Sequence, residues 1–325
     1  MSIDWFVEEG IGEQRAIRVE NGRITAARLY WPGSLAAGQI EDAQLIARHV
    51  GSSRGTARFA SGEDALVSSL PRNASEGAML RLSVTRAGLA ERGRSKLAQA
   101  RPTDAPLRAA PSLAEAISDS GARAKVVRTF PVPGWDEIMA DALSGSVAFN
   151  GGTLYLSPTP AMILIDIDGS LSPRELALAA VPAITDTIAR LDIAGSIGID
   201  FPTLDRKEDR RAVDTELAAG LGGWAHERTA MNGFGFVQLV ARMERPSILH
   251  LLTHNRAGAA ARLLLRRAEQ VQDPGVLLLT CHPALRAHLR TKWLEELTRR
   301  SGREVRIEEN PALALEVGFA QAIAP

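Results

Sequence analysis

The sequence predicts a mixed α/β (α+β) protein with more than one domain. Three observations support this. Short apolar stretches separated by turn residues fill positions 1–85, a strand–helix–strand pattern occupies the middle of the chain, and helices and strands alternate again over residues 256–325. The chain has 325 residues, of which 45% are hydrophobic. It is therefore long enough for two or three domains and apolar enough to form their cores.

The N-terminal region, positions 1–85, predicts a small β-barrel. Turn residues such as Asn21-Gly22 and Pro32-Gly33 separate the apolar stretches at a spacing that is typical of barrels. The predicted strands cover residues 16–19, 24–30, 57–60, 65–70 and 79–84.

Residues 86–101 are rich in basic side chains and have two interpretations. The segment is either a solvated linker or an arm that contacts RNA through its positive charge. Its basic residues include Arg86, Arg92, Arg94 and Lys96. Three prolines between residues 102 and 111 then indicate a linker.

The middle of the chain predicts two helices, a hairpin and a strand, in that order. The helices are expected around residues 112–120 and 135–143. Asn150-Gly151-Gly152 separates two short apolar stretches and is a strong hairpin signal. The apolar run at 161–168 follows as a strand.

Two aspartates in the strand at 161–168 are the most informative residues of the chain. Asp166 and Asp168 are two positions apart, so their side chains point to the same face of the strand. The residues around them are apolar on both faces, as in a buried strand. Two neighbouring carboxylates resist burial, and a divalent cation relieves this conflict.

A third aspartate lies at the end of the next predicted strand. Residues 197–201 are apolar apart from Asp200, and the stretch between the two strands is helical. The carboxyl ends of both strands should therefore lie at one edge of a sheet. We expect Asp166, Asp168 and Asp200 to converge on one metal ion, although acids at strand ends also cap helices or face solvent.

Two helices accompany these strands. The first begins with a capping-box signature at residues 172–175, and Pro182 inside it should kink or split it. The second covers about residues 205–221, and its basic residues either form a solvated face or contact phosphate. These basic residues are Lys207, Arg210 and Arg211.

The C-terminal region, residues 256–325, predicts a compact α/β unit. Its elements are a helix at 256–270, a strand at 276–280, a helix at 283–299 and a strand at 304–307. Just before this unit, His250 and His254 have the spacing of a helical metal pair, but no Glu follows the first His as in a zinc protease.

Charge and composition exclude several functional classes. The chain has 38 basic and 38 acidic residues, so any nucleic acid must be bound through a local patch. A single cysteine, Cys281, excludes a disulfide scaffold and a multi-cysteine zinc site within one chain. No apolar run is long enough to span a membrane, and the first residues do not form a signal peptide. We therefore expect a cytoplasmic protein without membrane contact.

Two known families share motifs with the chain. Residues 163–171 resemble the first motif of haloacid-dehalogenase-type phosphatases, in which the first Asp is a covalent nucleophile, the second a general acid/base, and Mg²⁺ lies between them. That family also has an acidic motif downstream, and the only later candidate, Asp200, lacks the paired acid.

The second resemblance, to the ribonuclease E/G family, covers about two-thirds of the chain. Residues 135–170 are similar to the entry of that family's catalytic core, with a helix, a Gly-Gly hairpin and an Ile-Asp strand in order. Residues 194–211 resemble its second Asp-containing strand with the following basic helix, and Phe234-Gly235 matches a further strand. The basic segment up to residue 101 and Ala57-Arg58-Phe59 resemble its N-terminal RNA-binding domain.

This resemblance implies four regions. They are an OB-like RNA-binding module (1–101), a linker (102–130), a deoxyribonuclease-I-like mixed-sheet nuclease core (131–255) and a small α/β C-terminal domain (256–325). It further implies that Asp166 and Asp200 hold Mg²⁺, with Asp168 as an auxiliary group. Lys207, Arg210 and Arg211 would then face the phosphate, and Arg86, Arg92, Arg94 and Lys96 would hold the RNA.

The chain departs from the family at several positions. Asp168 stands where the family has asparagine, and Gln238 where it has glutamate. The segment that senses a 5′-monophosphate and the zinc-linking cysteines are both missing. We therefore expect a reduced member without the zinc-linked tetramer, and a homodimer is left open.

The leading hypothesis is a Mg²⁺-dependent endoribonuclease that hydrolyses single-stranded RNA for processing or decay, leaving a 5′-phosphate and a 3′-hydroxyl as the resemblance implies. The first alternative is an RNA-binding regulator with a weakened site, which the changes at Asp168 and Gln238 favour. The second alternative is a haloacid-dehalogenase-like phosphatase.

Overall fold

The computed structural model describes residues 4–91 and 93–324. This part of the chain is a mixed α/β protein with several sheets, one of which closes into a five-stranded barrel. None of its helices combines the length and the apolar character that crossing a lipid bilayer requires.

Strands dominate the N-terminal part of the chain. They are β1 (Asp4–Gly10), β2 (Glu13–Glu20), β3 (Arg23–Tyr30), β4 (Ile40–Arg48), β5 (Gly55–Arg58), β6 (Asp64–Val67), β7 (Met79–Arg86), β8 (Leu89–Glu91), β9 (Arg94–Lys96), β10 (Ala98–Pro102) and, after helix α1 (Leu113–Asp119), β11 (Arg123–Val126). Each strand that the sequence predicts between positions 16 and 84 is confirmed.

Helices and strands alternate in the rest of the chain. The elements are α2 (Trp135–Ser144), β12 (Ser146–Phe149), β13 (Gly152–Pro158), β14 (Ile163–Gly169), α3 (Pro173–Arg190), β15 (Gly195–Asp200), α4 (Lys207–Gly220), β16 (His226–Arg228), β17 (Phe236–Ala241), α5 (Ile248–His254), α6 (Arg256–Glu269), β18 (Val276–Cys281), α7 (Pro283–Arg286), α8 (Thr291–Ser301), β19 (Val305–Glu309) and β20 (Phe319–Ile323).

The N-terminal strands form two separate structures. The closed barrel has the strand order β10-β6-β5-β4-β7, whereas β1, β2 and β3 form a second sheet together with β11. The β2–β3 hairpin turns at Asn21 and Gly22, which both have positive φ angles of 51° and 74°. Such a turn matches the twist of the paired strands.

The basic segment at 86–101 is not a linker. It contains the hairpin β8–β9 and the barrel strand β10, which pairs with both β6 and β7. The composition of β10 does not indicate a strand, because its buried residues are the small alanines 98 and 100, which alternate with exposed polar residues.

A six-stranded mixed sheet occupies the centre of the chain, in the order β12-β13-β14-β15-β17-β16. The predicted hairpin is confirmed as the antiparallel pair β12–β13. Only β14 and β15 run parallel, and α3 forms the crossover between them. The helix α3 packs on β3 and on β12 to β14, so one core joins this sheet to the first one.

Two predictions about helices need correction. Pro182 does not split α3, which runs unbroken to Arg190 and buries Ala180, Ile184 and Ile188 in the core. Conversely, the helix predicted at 283–299 is two helices, because Arg290 has an extended backbone (φ −67°, ψ 142°) and directly precedes α8.

A buried ionic network ties the first sheet to the C-terminal unit. Glu8 and Arg15 are each 3% exposed, and Arg266 is 8% exposed. A Glu8 oxygen lies 3.1 Å from Arg15 Nε and 3.2 Å from Arg266 Nε. Glu8 also accepts a hydrogen bond of 2.7 Å from the backbone N–H of Phe130. Glu8 therefore faces two buried guanidinium groups, and the buried Glu13 also pairs with Arg15 at 2.8 Å.

Replacing Glu8 should destabilise the protein strongly. Glu8→Gln removes the shared carboxylate and leaves the buried Arg266 with the longer contact to Asp136 at 3.6 Å, so we expect the free energy of unfolding to fall by about 3 kcal/mol. Urea unfolding followed by circular dichroism measures this change. The control is Glu20→Gln, which removes the exposed pair with Arg18 and should cost less than about 1 kcal/mol. Equal losses in the two variants would contradict the role of the network.

Candidate active site

The parallel pairing of β14 with β15 brings two of the predicted site residues together. Asp166 is the direct register partner of Asp200. Neighbouring strands lie about 4.8 Å apart, so the two carboxylates are adjacent on the sheet. The isoleucines that alternate with them, including Ile165 and Ile199, are fully buried on the opposite face. The predicted convergence of Asp166 and Asp200 is therefore confirmed.

The face that carries the aspartates is open rather than buried. Asp166, Asp168 and Asp200 are all exposed. The prediction of a strand buried on both faces is wrong, because the hydrophobic core lies against the isoleucine face of β14 alone. Solvation thus relieves part of the repulsion between the carboxylates.

Asp168 lies on β14, two residues after Asp166, and β15 ends before it could provide a partner there. Its Oδ1 accepts a hydrogen bond of 2.8 Å from the backbone N–H of Gly169, and its strand partner is Thr153 on β13. Across residues 4–91 and 93–324, no three His, Cys, Asp or Glu side chains are arranged to hold a metal ion. The structure therefore provides a pair of carboxylates rather than the expected group of three.

Asp166 and Asp200 have no cationic partner within the described chain. Arg174 at the start of α3 is engaged elsewhere, since its Nε donates to Asp209 Oδ1 at 2.8 Å. This ion pair joins the first turns of α3 and α4, the two helices that follow the aspartate strands. Two adjacent exposed carboxylates fit Mg²⁺, which binds through one or two carboxylates and keeps several waters.

The three basic residues of α4 have different surroundings. Lys207 and Arg211 are exposed, lie four residues apart on one face of the helix, and have no acidic partner within the described chain. Arg210 instead donates from Nη1 to the backbone carbonyls of Leu204 and Asp205. Arg210 thus holds the loop after Asp200 in place, and only Lys207 and Arg211 are free to meet a phosphate.

The basic residues of the 86–101 segment are largely engaged within it. Arg94 and Lys96 both pair with Glu91, and Arg86 Nη2 donates to the carbonyl of Leu97 at 2.7 Å. Burial lowers the pKa of Arg86. The fourth predicted contact, Arg92, lies outside the described residues.

Aromatic side chains flank the two carboxylates, a feature that the sequence interpretation missed. Tyr155 on β13 is the register partner of Asp166, and Phe236 on β17 is the partner of Asp200. One row across the sheet therefore reads Tyr, Asp, Asp, Phe. The alternation in β13 gave a signal, because Tyr155 falls on the face opposite to the buried Leu154 and Leu156.

The two histidines of α5 lie against each other, and one of them is buried. His250 is 8% exposed, its ring stacks with that of His254 at 6.4 Å, and Ser247 Oγ contacts its Nδ1 at 2.8 Å. Both histidines line a cavity of about 440 Å³ between the barrel side and α5. Burial, followed by the charge of His254, lowers the pKa of His250 to about 4.

Protonation of His250 should destabilise the protein in mild acid. Its pKa of about 4 lies below the value of 6.5 in the unfolded chain, so unfolding takes up a proton between these pH values. We expect the free energy of unfolding to fall by up to about 3 kcal/mol from pH 7 to pH 4 through this group. Urea unfolding at several pH values should show a smaller loss for His250→Gln, while the exposed control His49→Gln keeps the wild-type profile. The same profile in all three proteins would refute this prediction.

Comparison with known proteins assigns the chain to no family, because no family model and no curated protein matches it.

Proposed function

We propose that the chain is a Mg²⁺-dependent endoribonuclease that hydrolyses phosphodiester bonds in single-stranded RNA, as a reduced relative of ribonuclease E/G. The observation that carries the proposal is the direct pairing of Asp166 with Asp200 on an open sheet face, without a cationic partner among the described residues. Such a pair favours a divalent cation because each carboxylate raises the negative potential at the other.

Asp166 and Asp200 would hold Mg²⁺ between them. When bound there, the ion supplies polarisation of a phosphate oxygen and lowers the pKa of a bound water. Asp168 lies two residues from Asp166 on the same face, where its free oxygen can orient a water. Lys207 and Arg211, at the first turns of α4, can bind the phosphates next to the scissile one.

The proposed architecture follows the same resemblance. A closed barrel of five strands supports an OB-like RNA-binding module, and the mixed six-stranded sheet supports a deoxyribonuclease-I-like core. Lys96 Nζ donates to the carbonyl of Pro160 in the β13–β14 turn at 3.0 Å, so the hairpin beside the barrel contacts the sheet that carries the aspartates. RNA held by the barrel would then pass from this turn, which precedes β14, along the sheet face to Asp166 and Asp200.

An RNA-binding regulator with a weakened site is the second candidate. The observation that favours it is the hydrogen bond that Asp168 Oδ1 accepts from the N–H of Gly169. Two carboxylates then remain where three were expected. Gln238, which stands opposite Gly198 on the same face, adds no further acid.

Removing either carboxylate should abolish cleavage. Asp166→Asn and Asp200→Asn each delete one metal ligand, so we expect Mg²⁺-dependent cleavage of labelled single-stranded RNA to fall by about 100-fold or more. Chelation by EDTA should stop the wild-type reaction. The matched control is Asp186→Asn, at an exposed aspartate on α3, which should cleave like wild type.

Other outcomes select the alternatives. Tight RNA binding without any cleavage, unchanged by both substitutions, would support the regulator. Turnover of a chromogenic phosphate ester that requires Asp166 would support the phosphatase. Full RNA cleavage by both variants would overturn the assignment of the site.

A further inference from the structure

An exposed aromatic ring lies in the loop before β17, the strand that pairs with the end of β15. Phe234 lies in the loop before β17 and is 83% exposed. A single exposed apolar side chain is common on protein surfaces, so the significance of Phe234 lies in the attachment of its loop to the residue after Asp200.

The loop that carries Phe234 is held by its own hydrogen bonds. Asn232 Oδ1 accepts from the N–H of Phe234 at 2.8 Å and from that of Phe236 at 3.1 Å. The carbonyl of Gly235 accepts from the N–H of Phe201 at 3.1 Å, and Phe201 directly follows Asp200. These bonds thus fix the backbone that carries the ring relative to the strand that ends in Asp200.

Glycine is required for this attachment. Gly235 has a φ angle of 87°, and a Cβ atom built on it would lie 2.4 Å from the carbonyl oxygen of Phe201. A side chain at this position would push the loop away from the strand that ends in Asp200. The close approach therefore holds the backbone next to Phe234 against the residue that follows Asp200.

A second free ring lies on the other side of the carboxylates. Tyr155 is 46% exposed and faces Asp166 across β13 and β14. Phe236 is not equally free, because its ring edge covers Gly198, where a Cβ atom would lie 2.5 Å from Cζ. Tyr155 on β13 and Phe234 in the loop before β17 therefore belong to the two chain segments that flank the aspartate strands in the sheet order.

The chemistry of this face favours a nucleic acid strand over a protein partner. A protein that covered both rings would also bury Asp166, Asp168 and Asp200, and the desolvation of three carboxylates is unfavourable. A single strand needs rings for its bases and cations for its phosphates, and the exposed Lys207 and Arg211 lie in the first turns of the helix that follows Asp200. Every base offers a flat face for stacking, so such a site is tolerant of sequence.

We propose that Tyr155 and Phe234 each stack one unpaired nucleobase, on either side of the scissile phosphate. The inference rests on the proposed function for the position of that phosphate, and it names the substrate as an unpaired segment. In a duplex the base faces are covered by their neighbours, so the same rings select single strands against double strands.

Binding without cleavage tests the stacking separately from catalysis. Affinity for a short fluorescent oligouridylate is measured in Ca²⁺, and again in an Asp166→Asn, Asp200→Asn background that removes both the metal ligands and their charge. We expect Phe234→Ala and Tyr155→Ala each to weaken binding about tenfold. Phe234→Trp and Tyr155→Phe keep a ring and should retain wild-type affinity. Phe319→Ala removes an exposed phenylalanine from β20 and serves as the matched control.

Photo-crosslinking supplies a readout that a structural role would not change. An oligonucleotide with a single 5-iodouracil should crosslink to Tyr155 or Phe234 when the base stacks on the ring, and mass spectrometry of the peptides identifies the residue. A duplex of the same sequence should compete at least about tenfold more weakly.

The outcomes separate this inference from the proposed function. If RNA is cleaved and both carboxylate variants are inactive, but the ring variants bind and crosslink like wild type, the stacking is wrong and the nuclease remains. Failure to bind any oligonucleotide overturns the stacking as well. A dimer that dissociates on Phe234→Ala, with unchanged RNA binding, would show that the ring contacts a second copy of the chain instead.

Discussion

The register of a single pair of parallel strands determines the candidate site. Asp166 and Asp200 are neighbours only because β14 and β15 pair with Ile165 level with Ile199. A slip of one residue would turn the aspartates of one strand into the core and its isoleucines into solvent. The burial of the isoleucines therefore fixes the position of the carboxylates, although the two groups lie on opposite faces of the sheet.

Close packing around β14 strengthens this constraint. Gly152 and Gly169 are register partners across β13 and β14. A Cβ atom on Gly152 would lie 2.4 Å from the carbonyl oxygen of Asp168, and one on Gly169 would lie 2.3 Å from that of Gly151. The Asn-Gly-Gly sequence thus serves both the turn and the approach of the two strands. A shifted register would place a residue with a side chain at these tight positions, so the two glycines favour the register in which Tyr155 is opposite Asp166.

Local patterns predicted most elements, and tertiary contacts decided the rest. Alternation and turn residues predicted the strands that carry the aspartates and the hairpin before them, since both signals are contained in a few neighbouring residues. The sequence could not show which strands close the barrel, because strand order depends on contacts between distant segments. It also could not show that the aspartate face is open. Met162 and Leu164 are apolar and therefore predict burial of this face, although both side chains are only partly buried. Of the site, the acids were predictable from strand ends, whereas the role of Arg210 depends on a loop conformation that follows from no short motif.

The open face also bears on how such a protein can change over generations. Gln238 and Asp168 lie on a surface where a new side chain meets water or a neighbouring residue rather than a packed interior. Mutations there change chemistry with little penalty in folding, in contrast to mutations of the isoleucines behind them. A sheet of this kind can therefore lose, regain or alter its reactivity while its architecture persists, so divergence among descendants of one ancestor would concentrate on this single surface.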